Sequence, residues 1–187
     1  MFNLKKRKMK ANQIDLKSVK INGVGLEASY VYDNKELKAK GKEPIHDDLR
    51  NAVKKLTPYL MEVCEMSEAE NIDWNNLEGS ITSEACLKFG VGGITISGSE
   101  AQLSVTISGF KLLKTNKTLF FNTPRVFINL ENEDHYERCE ELREIVQDIC
   151  FEAEAYIINH KYAVYQQELP FKDDDGEGED PFNGEGE

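Results

Sequence analysis

No Cys-x-x-Cys pair occurs in this chain, and its four cysteines, Cys64, Cys86, Cys139 and Cys150, are scattered. That spacing excludes the common zinc-ribbon and dithiol frameworks. Cys139 and Cys150 both fall on the apolar stripe of one expected helix. The cysteines are therefore read as buried reduced thiols in a cytoplasmic setting. Apolar runs are only a few residues long, so no membrane span is expected. The N-terminus lacks the apolar stretch of a signal peptide.

Histidine is also scarce, with only His46, His135 and His160. A zinc or iron site needs three or four converging ligands. Asp47 and Asp48 follow His46, but adjacent side chains on a helix diverge. His135 and His160 fall at opposite ends of the last expected helix. All three are read as helix-terminal residues, and no metal or cofactor is expected. The glycine-rich GVGGITISGS (90–99) lacks the full G-x-G-x-x-G spacing and a Lys-Ser/Thr pair. It precedes a strand, so no helix N-terminus faces an anion, and it reads as a twisted hairpin. Ser97 and Ser99 have no motif-placed base to activate them. An enzyme is not expected.

What is present fits one domain of 187 residues with two unusual ends. The net charge is -11. Residues 1–12 (MFNLKKRKMKAN) carry five basic groups and no acid, and read as a flexible basic arm. Residues 172–187 carry eight acids and one lysine. Residues 13–165 should form a single α+β domain, and 166–187 a disordered acidic tail with peptide anchors.

Within the domain, Asn22-Gly23 between alternating runs is a strong hairpin signal. Val24, Leu26, Ala28, Tyr30 and Tyr32 would share one face. The partner strand changes phase between Leu16 and Val19, which predicts a bulge near Lys17-Ser18. Residues 33–44 read as an exposed loop. Leu49, Ala52, Val53, Leu56, Leu60 and Val63 recur at helical steps, and Pro58 predicts a break near Thr57. Trp74 and Leu77 should anchor an irregular link to the core. Strands are predicted over 85–91, 93–98, 102–110, 118–121 and 125–129, with a hairpin tip at 114–117. Leu103, Val105 and Ile107 alternate with Ser104, Thr106 and Ser108, which means one core face and one wet face. A long helix follows over about 134–160. The expected fold is an antiparallel sheet, hairpin plus strand meander, covered on one face by two main helices.

The strand region interleaves Lys88, Lys111, Lys114, Lys117 and Arg125 with phenylalanines, Phe120 among them. Cations that track phosphate beside aromatic platforms are what single-stranded nucleic acid requires. The plainer reading is that strand phenylalanines fill the core and lysines protect the edges. The last helix carries Glu140, Glu141, Glu144, Asp148, Glu152 and Glu154. Such a face is either solvated or a mimic of DNA charge that occupies a DNA-binding protein.

The tail is too polar to bury a core of its own. Its GEGEDPF segment resembles the acidic tail tip of bacterial and phage single-stranded-DNA-binding proteins, which end in acids and Pro-Phe. The resemblance implies docking of partners through Pro181 and Phe182. In that family Phe is terminal, whereas five residues follow Phe182 here. QQELPF (166–171) resembles the peptide by which bacterial replication proteins grip the sliding clamp, with Gln166, Leu169 and Phe171 in the matching places. Gln167 stands where that peptide usually has Leu, and the alternative expectation is that Leu169 and Phe171 pack back onto the domain as its last turn. HDDLRNAVKKLTPYL is similar to helices of phage proteins encoded near recombination genes. A strand meander before a long helix also resembles the core order of single-strand annealing proteins.

These resemblances imply a non-enzymatic accessory protein of phage or bacterial DNA replication or recombination. It would bind single-stranded DNA weakly and recruit replication or recombination proteins through its tail. The alternatives are an acidic DNA mimic that acts against host defence, or a virion assembly protein.

Overall fold

The computed structural model describes residues 14–98, 102–129 and 134–163. The basic arm and the acidic tail lie outside these residues, and with them Gln166, Leu169, Phe171, Pro181 and Phe182.

The chain opens with three antiparallel strands, β1 (Asp15–Asn22), β2 (Gly25–Tyr32) and β3 (Lys35–Lys40). The first turn pivots on Gly23-Val24, one residue later than Asn-Gly suggests, with Gly23 at φ +62. Val24 therefore sits exposed at the turn tip rather than on the face of Leu26. The bulge between Leu16 and Ser18 is present. It lets Leu16 and Val19 face the core although three residues separate them. Strand β3 corrects the expected loop over 33–44. Asp33 and Asn34 both take positive φ, the requirement of a tight two-residue hairpin turn, and Tyr32 pairs with Lys35.

Helices α1 (Asp47–Lys54) and α2 (Thr57–Val63) follow. His46 caps α1 by accepting from the Asp48 N–H at 3.2 Å. Pro58 sits in the first turn of α2, where its missing N–H costs nothing, so the expected break falls between two helices. Trp74 and Leu77 pack against the core as expected, Trp74 edge-on to Tyr59 at 5.1 Å. Short helices α3 (Leu77–Ile81) and α4 (Glu84–Leu87) lead to β4 (Phe89–Ser97). Here the expected strand over 85–91 was wrong: Ser83 caps α4 through the Cys86 N–H, and the strand begins at Phe89. Residues 90–97 are one bulged strand rather than a hairpin of their own.

Strands β5 (Ser104–Leu112), β6 (Thr118–Asn122) and the short β7 (Val126–Phe127) complete the sheet. Helix α5 runs over Cys139–Ile158. It starts later than expected because His135 bridges to Phe127. His160 ends it with positive φ. The strand order is β3-β2-β1-β4-β5-β6, and β7 also pairs with β5. Among the described residues the pairings between these strands are antiparallel, and the isolated Phe127–His135 bridge is parallel.

Helices α1, α2 and α5 cover one face. Leu16, Val19, Leu26, Ile94, Val105 and Ile107 point into that layer and meet Leu49, Leu56, Leu60, Leu142 and Ile149. The alternate residues of the same strands form the other face. Among the described residues no helix is long and apolar enough to cross a membrane.

Candidate nucleic-acid interface

Strand register fixes the uncovered face as ordered rows. One row runs Lys38, Ser29, Ser18, Thr95, Thr106 across five strands. Ser18 Oγ and Ser29 Oγ share a hydrogen bond at 2.6 Å within it. The next row runs Lys40, Glu27, Lys20, Gly93, Ser108, Asn122. A Cβ on Gly93 would strike the backbone of Val19 and Lys20, so glycine here lets β1 and β4 close. These rows are hydroxyl-rich, with Lys20, Lys38 and Lys40 set against Glu27 and the neighbouring Glu36.

Towards the β5–β6 end the face turns aromatic. Gly90, Phe110 and Phe120 are paired across β4, β5 and β6. The Phe110 ring lies where a Cβ on Gly90 would stand, so the strand backbone seats it. Phe120 leans on Phe110 with ring centroids 6.1 Å apart and planes at 57°. Phe120 is nonetheless 76% exposed. A depression of about 380 Å³ lies beside the pair, lined by Lys20, Asn22, Ser108, Phe110, Phe120 and Asn122.

The residues singled out from the sequence divide over several places. Phe120 lies on the uncovered face. Lys111 lies on the opposite, helix-bearing side, bonded to Glu68 at 2.6 Å and 5.0 Å above the Phe89 ring. The Lys111 hydrogen bond holds the Glu68 carboxyl below its ordinary range. Lys88 pairs with Glu84 at 3.1 Å. Lys88, Lys111 and Lys114 line one hollow of about 460 Å³, with Glu68 in its wall. Lys117 is exposed at the hairpin tip.

Arg125 stands apart. Its Nε–H donates to Ser104 Oγ at 2.6 Å, and Ser104 donates to the Ser97 carbonyl at 3.0 Å. Its guanidinium stacks 5.3 Å from the Phe127 ring. Ser104 and Lys111 are seven residues apart on β5, roughly 24 Å at about 3.4 Å per residue. Arg125 and Lys111 therefore serve different ends and sides of the sheet. Sequence reasoning missed Lys20, Lys38 and Lys40. Strand parity would have found Lys20, which shares a face with Ser18 on β1, whereas Lys38 and Lys40 reach that face only through the pairing of β3 with Ser29 and Glu27 on β2.

The far side of the molecule carries the opposite charge. Glu140, Glu141, Glu144 and Asp148 are exposed on the outer side of α5, and Phe151 joins them at 60% exposure. Glu152 and Glu154 are partly buried. A hollow of about 320 Å³ between α5 and α3 is lined by Tyr59, Trp74, Glu78, Glu141, Glu144 and Asp148. At its edge the Arg138 guanidinium lies 4.2 Å from the Trp74 ring, with its Nε 3.5 Å from Glu62. Burial pushes the Glu62 carboxyl up, against the pull of Arg138.

The cysteines are free, and desolvation raises all four thiols, Cys150 to about 12. A thiol held protonated is a poor nucleophile and a poor metal ligand. Among the described residues no group of three His, Cys, Asp or Glu is placed to hold a metal ion.

No family model, no curated protein and no solved structure matches this chain. The functional reading therefore rests on the geometry of the two surfaces.

Proposed function

We propose that this chain is a non-enzymatic accessory protein that binds single-stranded DNA on its uncovered sheet face. The observation that carries this reading is the Phe110–Phe120 pair, half seated and half exposed beside Lys20. A base can stack on the Phe120 ring because every base has a π face. Lys20, Lys38, Lys40 and the serine and threonine hydroxyls can meet phosphate and sugar. Acidic Glu27 and Glu36 dilute the positive charge, which fits weak and salt-sensitive binding. Phage or bacterial DNA replication or recombination is the setting that the tail resemblance supports. Partner recruitment through Gln166, Leu169, Phe171, Pro181 and Phe182 belongs to the same proposal, with the sliding clamp as one candidate partner.

Fluorescence anisotropy with a labelled oligonucleotide at low salt tests the DNA-binding half. Micromolar binding that weakens as salt rises is the expected result, and no binding at micromolar protein overturns it. Comparing the full chain with one ending at Phe171 on a purified sliding clamp separates the two peptide anchors.

The outer side of α5 supports a second reading, a DNA mimic that occupies a basic partner. Its exposed Glu140, Glu141, Glu144 and Asp148 are the specific observation. Reversing Glu140, Glu144 and Asp148 to lysine would abolish mimicry. On the first reading the same change leaves oligonucleotide binding intact or strengthens it.

A further inference from the structure

The two edges of the sheet are built differently. Edge strand β3 reads KELKAK, and its lysines guard it against strand addition. Edge strand β6 reads TLFFN and holds no charge, proline or bulge. Leu112, Leu119 and Phe120 at this edge are 44%, 47% and 76% exposed. Among the described residues no strand pairs with the outer side of β6.

The direction of the β6 backbone follows from two hydrogen bonds. Leu113 N–H donates to the Lys117 carbonyl at 2.8 Å, and Thr123 N–H donates to the Ile107 carbonyl at 2.9 Å. Lys117 and Thr123 thus address β5, and by alternation so do Leu119 and Phe121. The N–H and C=O groups of Thr118, Phe120 and Asn122 point outward.

We propose that the outer edge of β6 pairs antiparallel with β6 of a second copy, about a two-fold axis at Phe120. Phe120 then exchanges both backbone hydrogen bonds with its symmetry mate. Thr118 and Asn122 do the same with each other's mates. Leu119 meets Phe121 on the helix side, an apolar cross-strand pair. No like charges oppose within the strand. On β3 the outward-facing residues are Glu36, Lys38 and Lys40, so the same operation about its central outward residue would set Lys38 against its own mate, and β3 is ill-suited to self-pairing. A two-fold interface is self-complementary by construction, and β6 meets that condition at its central residue.

The pairing makes one continuous sheet from two copies. Phe110 and Phe120 of each copy then stand in a single row of four rings across the seam, on the uncovered face. The edge geometry carries this inference whether or not that face takes a nucleic acid.

Sedimentation of the full chain from low to high micromolar tests it. The mass should rise with concentration from 21.3 kDa towards twice that value. Asn122→Pro removes an outward N–H that is absent from the β5 ladder. It should hold the chain at the monomer mass with an unchanged circular dichroism spectrum. Phe120→Cys should cross-link two copies under mild oxidation, because Cα atoms about 5.5 Å apart in such a pair suit a disulfide. A mass fixed at 21.3 kDa overturns the proposal and leaves the edge to a strand of another protein. A dimer that ignores Asn122→Pro and fails to cross-link through Phe120→Cys overturns it equally.

Discussion

The two faces of the sheet are made of the same strands and have opposite duties. On β5, Val105 and Ile107 are buried under the helices, while Thr106 and Ser108 look out from the other side. On β1, Val19 is fully buried and Lys20 is exposed. The covered face secures the fold by removing apolar surface from water, at about 25 cal/mol per Å². Apart from Gly90, Gly93 and the buried Ser104, the side chains of the uncovered face bury little, so they can change without unfolding the chain. A functional surface therefore belongs where stability is indifferent to identity. Phe120, a large ring left in water on that face, is the residue that stability does not explain.

Substitutions can break this contrast, beginning with the largest. Ile107→Ala, on the covered face, should cost about 2–5 kcal/mol through lost burial and a residual cavity. Urea denaturation measures it, and a loss below 1 kcal/mol would mean the core is not where the fold places it. Phe120→Ala should leave monomer stability within about 0.5 kcal/mol. The same change should weaken oligonucleotide binding about tenfold, the lower part of the stacking range. Equal loss of both properties would erase the distinction between the faces.

Lys20→Glu with Lys38→Glu sharpens the picture further. Each lysine that meets a phosphate contributes about -0.7 to the slope of log affinity against log salt. The double variant should bind more weakly and with a shallower slope. An unchanged slope removes these lysines from the interface.

A smaller effect concerns the closure of the helix layer. Lys161 Nζ lies 2.6 Å from both Asp48 Oδ2 and Glu152 Oε2, tying the end of α5 to the start of α1. These hydrogen bonds raise the Lys161 amine, and the Lys161 bond holds the Asp48 carboxyl below its ordinary value. The Asp48 contribution is complete above the ordinary carboxylate range and is lost as pH falls through its depressed pKa. The Lys161 contribution is complete below the ordinary amine range and is lost as pH rises through its raised pKa. Lys161→Met should therefore lower the melting temperature slightly near neutrality, and the gap should close at both extremes. A gap that does not vary with pH would mean the clamp contributes only contact.

Where sequence and structure agree, a short-range rule was sufficient. The bulge near Lys17, the break at Pro58 and the alternation through Ile107 each follow from a few neighbouring residues. The α+β class, with helices over one face of an antiparallel sheet, follows from those pieces together. Strand β3 escaped because an edge strand guarded by lysines has no apolar alternation to detect. Residues 85–87 misled because Ser83 caps a turn of helix in front of a strand-like run. The binding surface was only half legible for a different reason. Composition brought lysines and phenylalanines together, but strand parity separates them. Phe120 pairs with Phe110 on one face, while Lys111 pairs with Leu119 on the other. Only register decides which of them can touch the same ligand.

The bulge in β1 sets the strand's tolerance of insertions and deletions. Leu16 pairs with Tyr30 and Ser18 with Ser29, so Lys17 is the one residue in that stretch without a partner across the ladder. Deleting Lys17 leaves an unbroken alternation in which Leu16, Val19 and Ile21 still face inward and every downstream pair is kept. Deleting Lys20 instead turns one end of the strand inside out. One position in the middle of a buried strand is thus dispensable, and a neighbour three residues away is not.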